Sequence, residues 1–122
     1  SQDKTKRCIG NIIIEANIEN EPYKVIGFEN HGGQTSNVSS TFGKVELGNG
    51  NKFGSSEEGF MLPNVICTYL HGPLLSKNPK IADYIIKHAL ERKYNKNIEL
   101  EKLNDSLEEK CREYLFSRFN NN

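Results

Sequence analysis

Apolar residues gather into short, separated runs along this chain, and the rhythm of those runs changes part way along. The first run, Cys8 to Ile18 (CIGNIIIEANI), holds three consecutive isoleucines, Ile12 to Ile14. Successive β-branched side chains favour a strand buried on both faces. Asn20-Glu21-Pro22 predicts a break. Tyr23 to Glu29 (YKVIGFE) then predicts a second strand of the same kind. The paired glycines of ENHGGQTS require an irregular loop. Gly43 to Leu47 (GKVEL) alternates and predicts a half-exposed strand. GNGNKFGSSEEG follows, a long polar excursion with Asn-Gly turn chemistry. Asn64 to Leu70 (NVICTYL) predicts one more strand.

Beyond this point the period becomes helical. Asn78 suits an N-cap and Pro79 the first helical position. Ile81, Ala82, Ile85, Ile86, Ala89 and Leu90 would form one apolar face, with Lys80, Asp83, Lys87 and Glu91 on the wet side. A second helix is expected from about Asp105 to Phe119, with Leu107, Cys111, Tyr114, Leu115 and Phe119 as its buried stripe. Residues 1–5 and 120–122 read as loose ends. Several strands followed by two helices is the order expected of the last part of an α/β domain. A complete one alternates strands and helices from its start.

Composition narrows the function classes. The length of 122 residues suits a single domain. Sixteen Lys plus Arg balance sixteen Asp plus Glu, so no global field draws the chain to nucleic acid or to an anionic membrane. The 35% hydrophobic content implies a thin core, as a missing partner surface would explain. No apolar run approaches the roughly 20 residues of a membrane span, and no signal or transit peptide is visible. Three scattered cysteines, Cys8, Cys67 and Cys111, argue against a disulfide framework and for a reducing, cytoplasmic setting. They lack the spacing of a zinc site, and no P-loop, G-x-G-x-x-G or H-E-x-x-H occurs, so no metal or cofactor is expected.

The candidate chemistry centres on His71 in TYLHGPLL. Active sites of open α/β sheets lie outside the carboxyl ends of strands, and imidazole titrates near neutrality. Gly72 removes a neighbouring side chain and Pro73 stiffens the turn. The local sequence equally admits a surface histidine capping a strand or helix end. Glu29, Asn30 and His31 beside Gly32-Gly33 read either as a binding loop or as a structural turn that satisfies its own backbone. His88, on the first helix beside its apolar face, reads as structural. A catalytic histidine needs something to activate, and no G-x-S-x-G or G-x-C-x-G elbow is present. Cys8 and Cys67 fall in expected strands and Cys111 on a helix stripe, positions where cysteine acts as a small hydrophobe.

Four strings, KRCIGNIIIE, VIGFENHGGQT, FGKVELGNGN and TYLHGPLLSKNPKIADYIIKHAL, together resemble the class I glutamine amidotransferases of the cobyric-acid-synthase type, in their GatD-like branch. The likeness runs from about residue 6 to residue 115. It implies the C-terminal part of a flavodoxin-like, three-layer α/β glutamine amidotransferase domain. The half that carries the nucleophilic cysteine on its elbow is not matched here. It further implies L-glutamine as substrate and a MurT-like Mur ligase subunit as partner. That ligase would use the ammonia to amidate D-glutamate of the peptidoglycan stem on lipid II.

By the resemblance His71 is the catalytic histidine, taking the cysteine proton and handing it to departing ammonia. Pro73 stands where many class I members carry an orienting glutamate, so a Cys–His dyad is implied, or a third member from elsewhere such as Glu29. Arg7 would clamp the α-carboxylate of glutamine, although by itself it reads as a solvated arginine at a strand edge. His31, Gly32 and Gly33 would form a loop at the pocket mouth. Two alternatives stay open: a cobyrinate or cobyric-acid amidotransferase fragment, and a non-catalytic half-domain whose exposed sheet edge pairs with another protein or forms a homodimer.

Overall fold

A computed structural model describes residues 6–121 of the chain; residues 1–5 and 122, and with them most of the expected loose ends, lie outside the described residues. The chain divides into two compact units, residues 1–74 and 75–122.

The first unit is built on a long hairpin. β1 (Cys8–Ile18) and β2 (Glu21–His31) pair antiparallel from Cys8↔His31 to Ile18↔Glu21. Glu19 and Asn20 form the two-residue turn, with φ of 52° and 65°. Positive φ at both central residues is what a turn matched to strand twist demands. The break therefore comes earlier than the expected Asn20-Glu21-Pro22, and Pro22 belongs to β2 opposite Asn17. The closing pair of such a hairpin exchanges the ladder bonds, so the next pair does not, and the missing N–H of Pro22 costs the ladder nothing.

Burial on both faces holds only at the centre of the hairpin. Ile12, Ile13 and Ile14 are all buried, opposite Gly27, Ile26 and Val25. Toward either end of the two strands buried and exposed positions alternate. β3 (Gly43–Leu47), the strand that the alternation predicts, pairs with β1, with a register shift between Ile13 and Ile14. β4 (Glu57–Glu58) pairs with β3, and β7 (Leu70–His71) with β2, giving the order β4-β3-β1-β2-β7. All of these pairings are antiparallel.

The expected single strand over Asn64–Leu70 is in fact divided. β6 (Val65–Cys67) pairs with β5 (Phe60–Leu62), which the sequence did not suggest, while Leu70 and His71 cross to the larger sheet. Thr68 and Tyr69 make the bend. The Thr68 hydroxyl accepts from the Leu70 N–H at 3.0 Å, and both bend residues donate to Glu58. Local side-chain bonds of this kind compete with strand continuation.

The second unit begins within α1 (Leu74–Lys77), whose first residue ends the first unit. α2 (Pro79–Tyr94) starts as expected, with Asn78 before it and Pro79 at its first position, and ends at Asn95 with a φ of 50°. The Asn78 side chain makes no cap bond; its Oδ1 accepts from Arg112 Nη1 at 2.7 Å. α3 (Ser106–Asn120) also matches, so Asn120 closes a helix instead of beginning a loose tail.

The expected apolar faces need correction. On α2, Ile81 and Tyr84 are buried, while Ile85, Ile86 and Ala89 are exposed. On α3, Leu107 and Tyr114 are 68% and 61% exposed, Cys111 is exposed, and the buried side chain is Arg112. Helical spacing marks which side can be buried; burial itself needs a surface facing it. Arg112 is held inside by the Lys77 carbonyl at 2.9 Å and by Asn78. His88 is structural as expected, its Nδ1 3.0 Å from the Tyr84 carbonyl and its ring against Tyr84. No helix among the described residues is long and apolar enough to cross a membrane, and no group of three metal-ligating side chains occurs among them.

Candidate functional site

Successive residues of β2 face opposite ways, and near its C-terminal end this sorts the candidate residues into two sets. Phe28 and Asn30 point to the exposed face, Glu29 and His31 to the buried one. Residues directly opposite in an antiparallel pair share a face. His71 lies opposite Phe28, and Leu70 opposite Glu29. His71 therefore belongs to the exposed set. It closes β7, is itself exposed, and is followed by Gly72 at a φ of 80° and then by Pro73. A positive φ here turns the chain sharply away from the sheet, and glycine accepts it without steric cost.

Arg7 joins His71 on that face. Its Nε and Nη2 both donate to Asn30 Oδ1, at 3.1 and 2.8 Å, and Asn30 is two residues along β2 from Phe28. The guanidinium also passes Gly32, where a Cβ would stand 4.0 Å from Nη1. Asn30 occupies the Nε/Nη2 edge and leaves the Nη1 end available, the arrangement that lets a guanidinium take a planar anion end-on. The structure thus brings Arg7, Asn30 and His71 to one exposed face at one end of the sheet.

The buried set is a polar network. Glu29 is 1% exposed. Its Oε1 accepts from the Asn49 N–H and the Asn49 side chain, each at 2.8 Å, and its Oε2 accepts from the Gly50 N–H at 3.0 Å. That carboxylate pins the glycine-rich excursion beneath β2 and lies on the face away from His71, so it is not placed to orient that imidazole. His31 is also buried. Its Nδ1 lies 2.9 Å from the Gly33 carbonyl, which it can reach as a donor, and its Nε2 lies 3.9 Å from Glu29 Oε2. Its ring stacks on Tyr69 with centroids 3.8 Å apart and planes 5° off parallel. Gly33 lies so close to Tyr69 that a Cβ would come within 2.8 Å of the phenol oxygen. His31 ends β2 and, with Gly33, packs against Tyr69, while Gly32 is the member that approaches Arg7.

Two contributors carried no signal in the pattern. Glu58, within an acidic pair in a polar loop, has the look of a solvated residue but is 0% exposed. Its Oε1 accepts from the Thr68 hydroxyl at 2.8 Å and from the Tyr69 N–H at 2.6 Å. Tyr69 also shares a 2.9 Å hydrogen bond with the Thr35 hydroxyl. Thr35, Asn51, Cys67, Thr68 and Tyr69 line a cleft of about 270 Å³.

The cysteines are placed unlike a nucleophile. Cys8 is fully buried opposite His31, on the face away from His71. Burial pushes its thiol above the ordinary value, a contact with Gln34 partly opposes this, and the Glu29 and Glu58 charges add to the rise. A thiol held in its protonated form is a poor nucleophile. Cys67 and Cys111 are exposed, contrary to the buried positions expected for them, because β6 is short and the α3 stripe is open to solvent. Neither stands at a strand-to-helix elbow.

Residues 2–79 match the CobB/CobQ-like glutamine amidotransferase domain. The chain is 43% identical over 93 residues to the lipid II isoglutaminyl synthase (glutamine-hydrolyzing) subunit GatD of Staphylococcus aureus strain N315, a match covering 76% of this chain and 37% of that protein. It is 38% identical over 109 residues to the subunit of the same name from Streptococcus pneumoniae strain ATCC BAA-255 / R6, covering 88% of this chain and 41% of the relative. The chain spans about two fifths of the length of these curated relatives. With more than half of its residues matched, the chain belongs to the family of CobB/CobQ-like glutamine amidotransferase domains.

Proposed function

We propose that this chain is the histidine-bearing, C-terminal portion of a flavodoxin-like glutaminase domain. In the full polypeptide that domain would hydrolyse L-glutamine at the cytoplasmic face and pass ammonia to a MurT-like Mur ligase subunit, which amidates D-glutamate of the peptidoglycan stem on lipid II. The observation that carries the reading is the identity with two GatD subunits over most of this chain. The exposed face that gathers His71, Arg7 and Asn30 supports it.

His71 accepts the proton of a cysteine supplied from outside these residues. The thiolate attacks the carboxamide carbon of glutamine, and His71 returns the proton to the nitrogen as the C–N bond breaks and ammonia leaves. Water then attacks the thioester, losing a proton to His71 that goes back to the cysteine sulfur, and glutamate departs. Arg7, steadied by Asn30, holds the α-carboxylate.

The test is glutamate release from glutamine by the full polypeptide with its ligase partner, with and without His71→Ala. Release is expected, and its loss in the variant. The 122-residue chain alone is expected to release none. Release by that chain, abolished by His71→Ala, would overturn the placement of the nucleophile outside it. Undiminished release by the His71→Ala polypeptide would overturn the role of His71.

A further inference from the structure

β7 is two residues long, and its ladder consists of Phe28↔His71 and Glu29↔Leu70. Two register pairs at the end of a sheet fray easily, yet an imidazole that exchanges protons with a fixed sulfur must be held to within a fraction of an ångström. The three residues before His71 are anchored by side chains. Leu70 is buried at the place where Gly27 leaves room, since a Cβ on Gly27 would lie 2.9 Å from the leucine side chain. Tyr69 stacks on His31 and shares a hydrogen bond with Thr35. Thr68 and the Tyr69 N–H both donate to Glu58 Oε1, and the Thr68 hydroxyl accepts the Leu70 N–H in turn.

Glu58 is thus the head of a chain of bonds that runs from β4 through Thr68 to Leu70. It is fully buried, and its Oε2 has no hydrogen-bond partner among the described residues. Burying a carboxylate with one oxygen unmatched is costly, and a side chain that served only to fill space would be apolar. A carboxylate accepts bonds roughly twice as strong as a neutral oxygen does, which suits a group that must fix a bend with few other restraints.

We propose that Glu58 is a positioning residue for His71, setting where the imidazole emerges by clamping the Thr68–Tyr69 bend; this rests on the reading of His71 as the proton-transferring histidine. The proposal is tested in the full polypeptide with Glu58→Ala and Glu58→Gln. Glu58→Ala is expected to lower kcat for glutamine hydrolysis on the order of 10- to 100-fold, with KM for glutamine changed less than about twofold. Glu58→Gln keeps an acceptor oxygen for Thr68 and Tyr69 and is expected to recover most of the loss.

A second readout is the imidazole NMR signal of His71, identified by its disappearance in His71→Gln. Glu58→Ala is expected to shift or broaden that signal and to leave the His88 signal in place. If Glu58→Ala does not fold, Glu58→Gln carries the test, with smaller changes in the same direction in both readouts. An unchanged kcat and an unchanged His71 signal in the folded variant overturn the proposal. So does a His88 signal that moves together with that of His71, which marks general loosening. If the unsubstituted polypeptide releases no glutamate while the His71 signal still follows Glu58, the functional reading fails and the positioning of His71 by Glu58 stands.

Discussion

Hairpin β1–β2 holds its two strands in register along their whole lengths, from Cys8↔His31 to Ile18↔Glu21, whereas β7, which carries His71, is paired at Phe28 and Glu29 only. The hairpin is fixed by its own backbone ladder and by the burial of Ile12, Ile14, Ile18 and Val25. The stretch from Glu57 to His71 has only short ladders, β4 on β3, β5 on β6 and β7 on β2, and single side chains that reach across sequence hold it between them. Glu58 holds Thr68 and Tyr69, Asn51 Oδ1 accepts the Gly59 N–H at 2.8 Å, and the Ser40 hydroxyl donates to the Met61 carbonyl at 2.8 Å. A ladder is robust because each bond supports its neighbours. A clamp is local, and each side chain lost removes one of the few restraints on the bend. His71, the residue proposed to carry the proton chemistry, sits on the clamped part.

The sharpest way to separate chemistry from scaffold is His71→Ala. The imidazole is exposed and ends its strand, so the melting temperature is expected to stay within about a degree of the parent value. Glutamine hydrolysis by the full polypeptide is expected to fall by about 10²- to 10⁴-fold, the range for removing a positioned acid–base group. A large loss of stability would mean that His71 supports the fold and that the contrast between the regions is misdrawn.

Within the hairpin, Ile14 sits between Val25 and Val45 on the two neighbouring strands and is fully buried. Ile14→Ala is expected to cost about 2–5 kcal/mol, measured by denaturant unfolding. A cost below about 1 kcal/mol would show that the hairpin centre is not the core that its burial suggests. Glu29→Ala is expected to rank next, at about 1–3 kcal/mol. It strands the Asn49 and Gly50 N–H groups in a partly buried loop, while the ladder on either side stays paired. Amide exchange should then quicken in residues 48–51 and not in β1; equal quickening in both would erase the distinction between ladder and clamp.

These expectations divide along the same line as what the sequence reveals. Ile12-Ile13-Ile14 and Val25-Ile26 carry their own periodic signature, so β1, β2 and β3 emerge from the pattern with nearly correct limits. Asn78-Pro79 likewise marks the start of α2. The bend at Thr68-Tyr69 depends on Glu58, ten and eleven residues away, and on no period at all, so NVICTYL passes for one strand. Glu58 itself lies in a glycine- and serine-rich polar stretch where acidic residues are ordinarily solvated. His71 is visible because Gly72 and Pro73 follow it, whereas Asn30, which grips Arg7, is one polar residue among several at the end of β2. The helix stripes fail for another reason. Spacing specifies a face, and Leu107 and Tyr114 satisfy it while remaining open to solvent.

The smallest expected effect lies where the two regions meet. Cys8 belongs to the hairpin, yet its thiol is raised first by burial and then by the charges of Glu29 and Glu58, one from each region, against an opposing contact from Gln34. In the unfolded chain this thiol ionises at its ordinary value, while in the folded chain it keeps its proton to higher pH. Around and above that ordinary value the folded state therefore binds more protons than the unfolded state, and stability falls as pH rises; below it the contribution is fully present and flat. Cys67 and Cys111 are exposed and remain in every variant, so they do not obscure the difference. Unfolding curves taken between neutral and strongly alkaline pH should decline more steeply for the parent chain than for Cys8→Ala. Glu58→Gln should soften the decline slightly, because it removes the weaker of the two named charges. Parallel curves for the parent and Cys8→Ala would show that Cys8 ionises freely in the fold. The hairpin would then open at its Cys8–His31 end, and the contrast between a firm ladder and a clamped bend would fail at the one place where they touch.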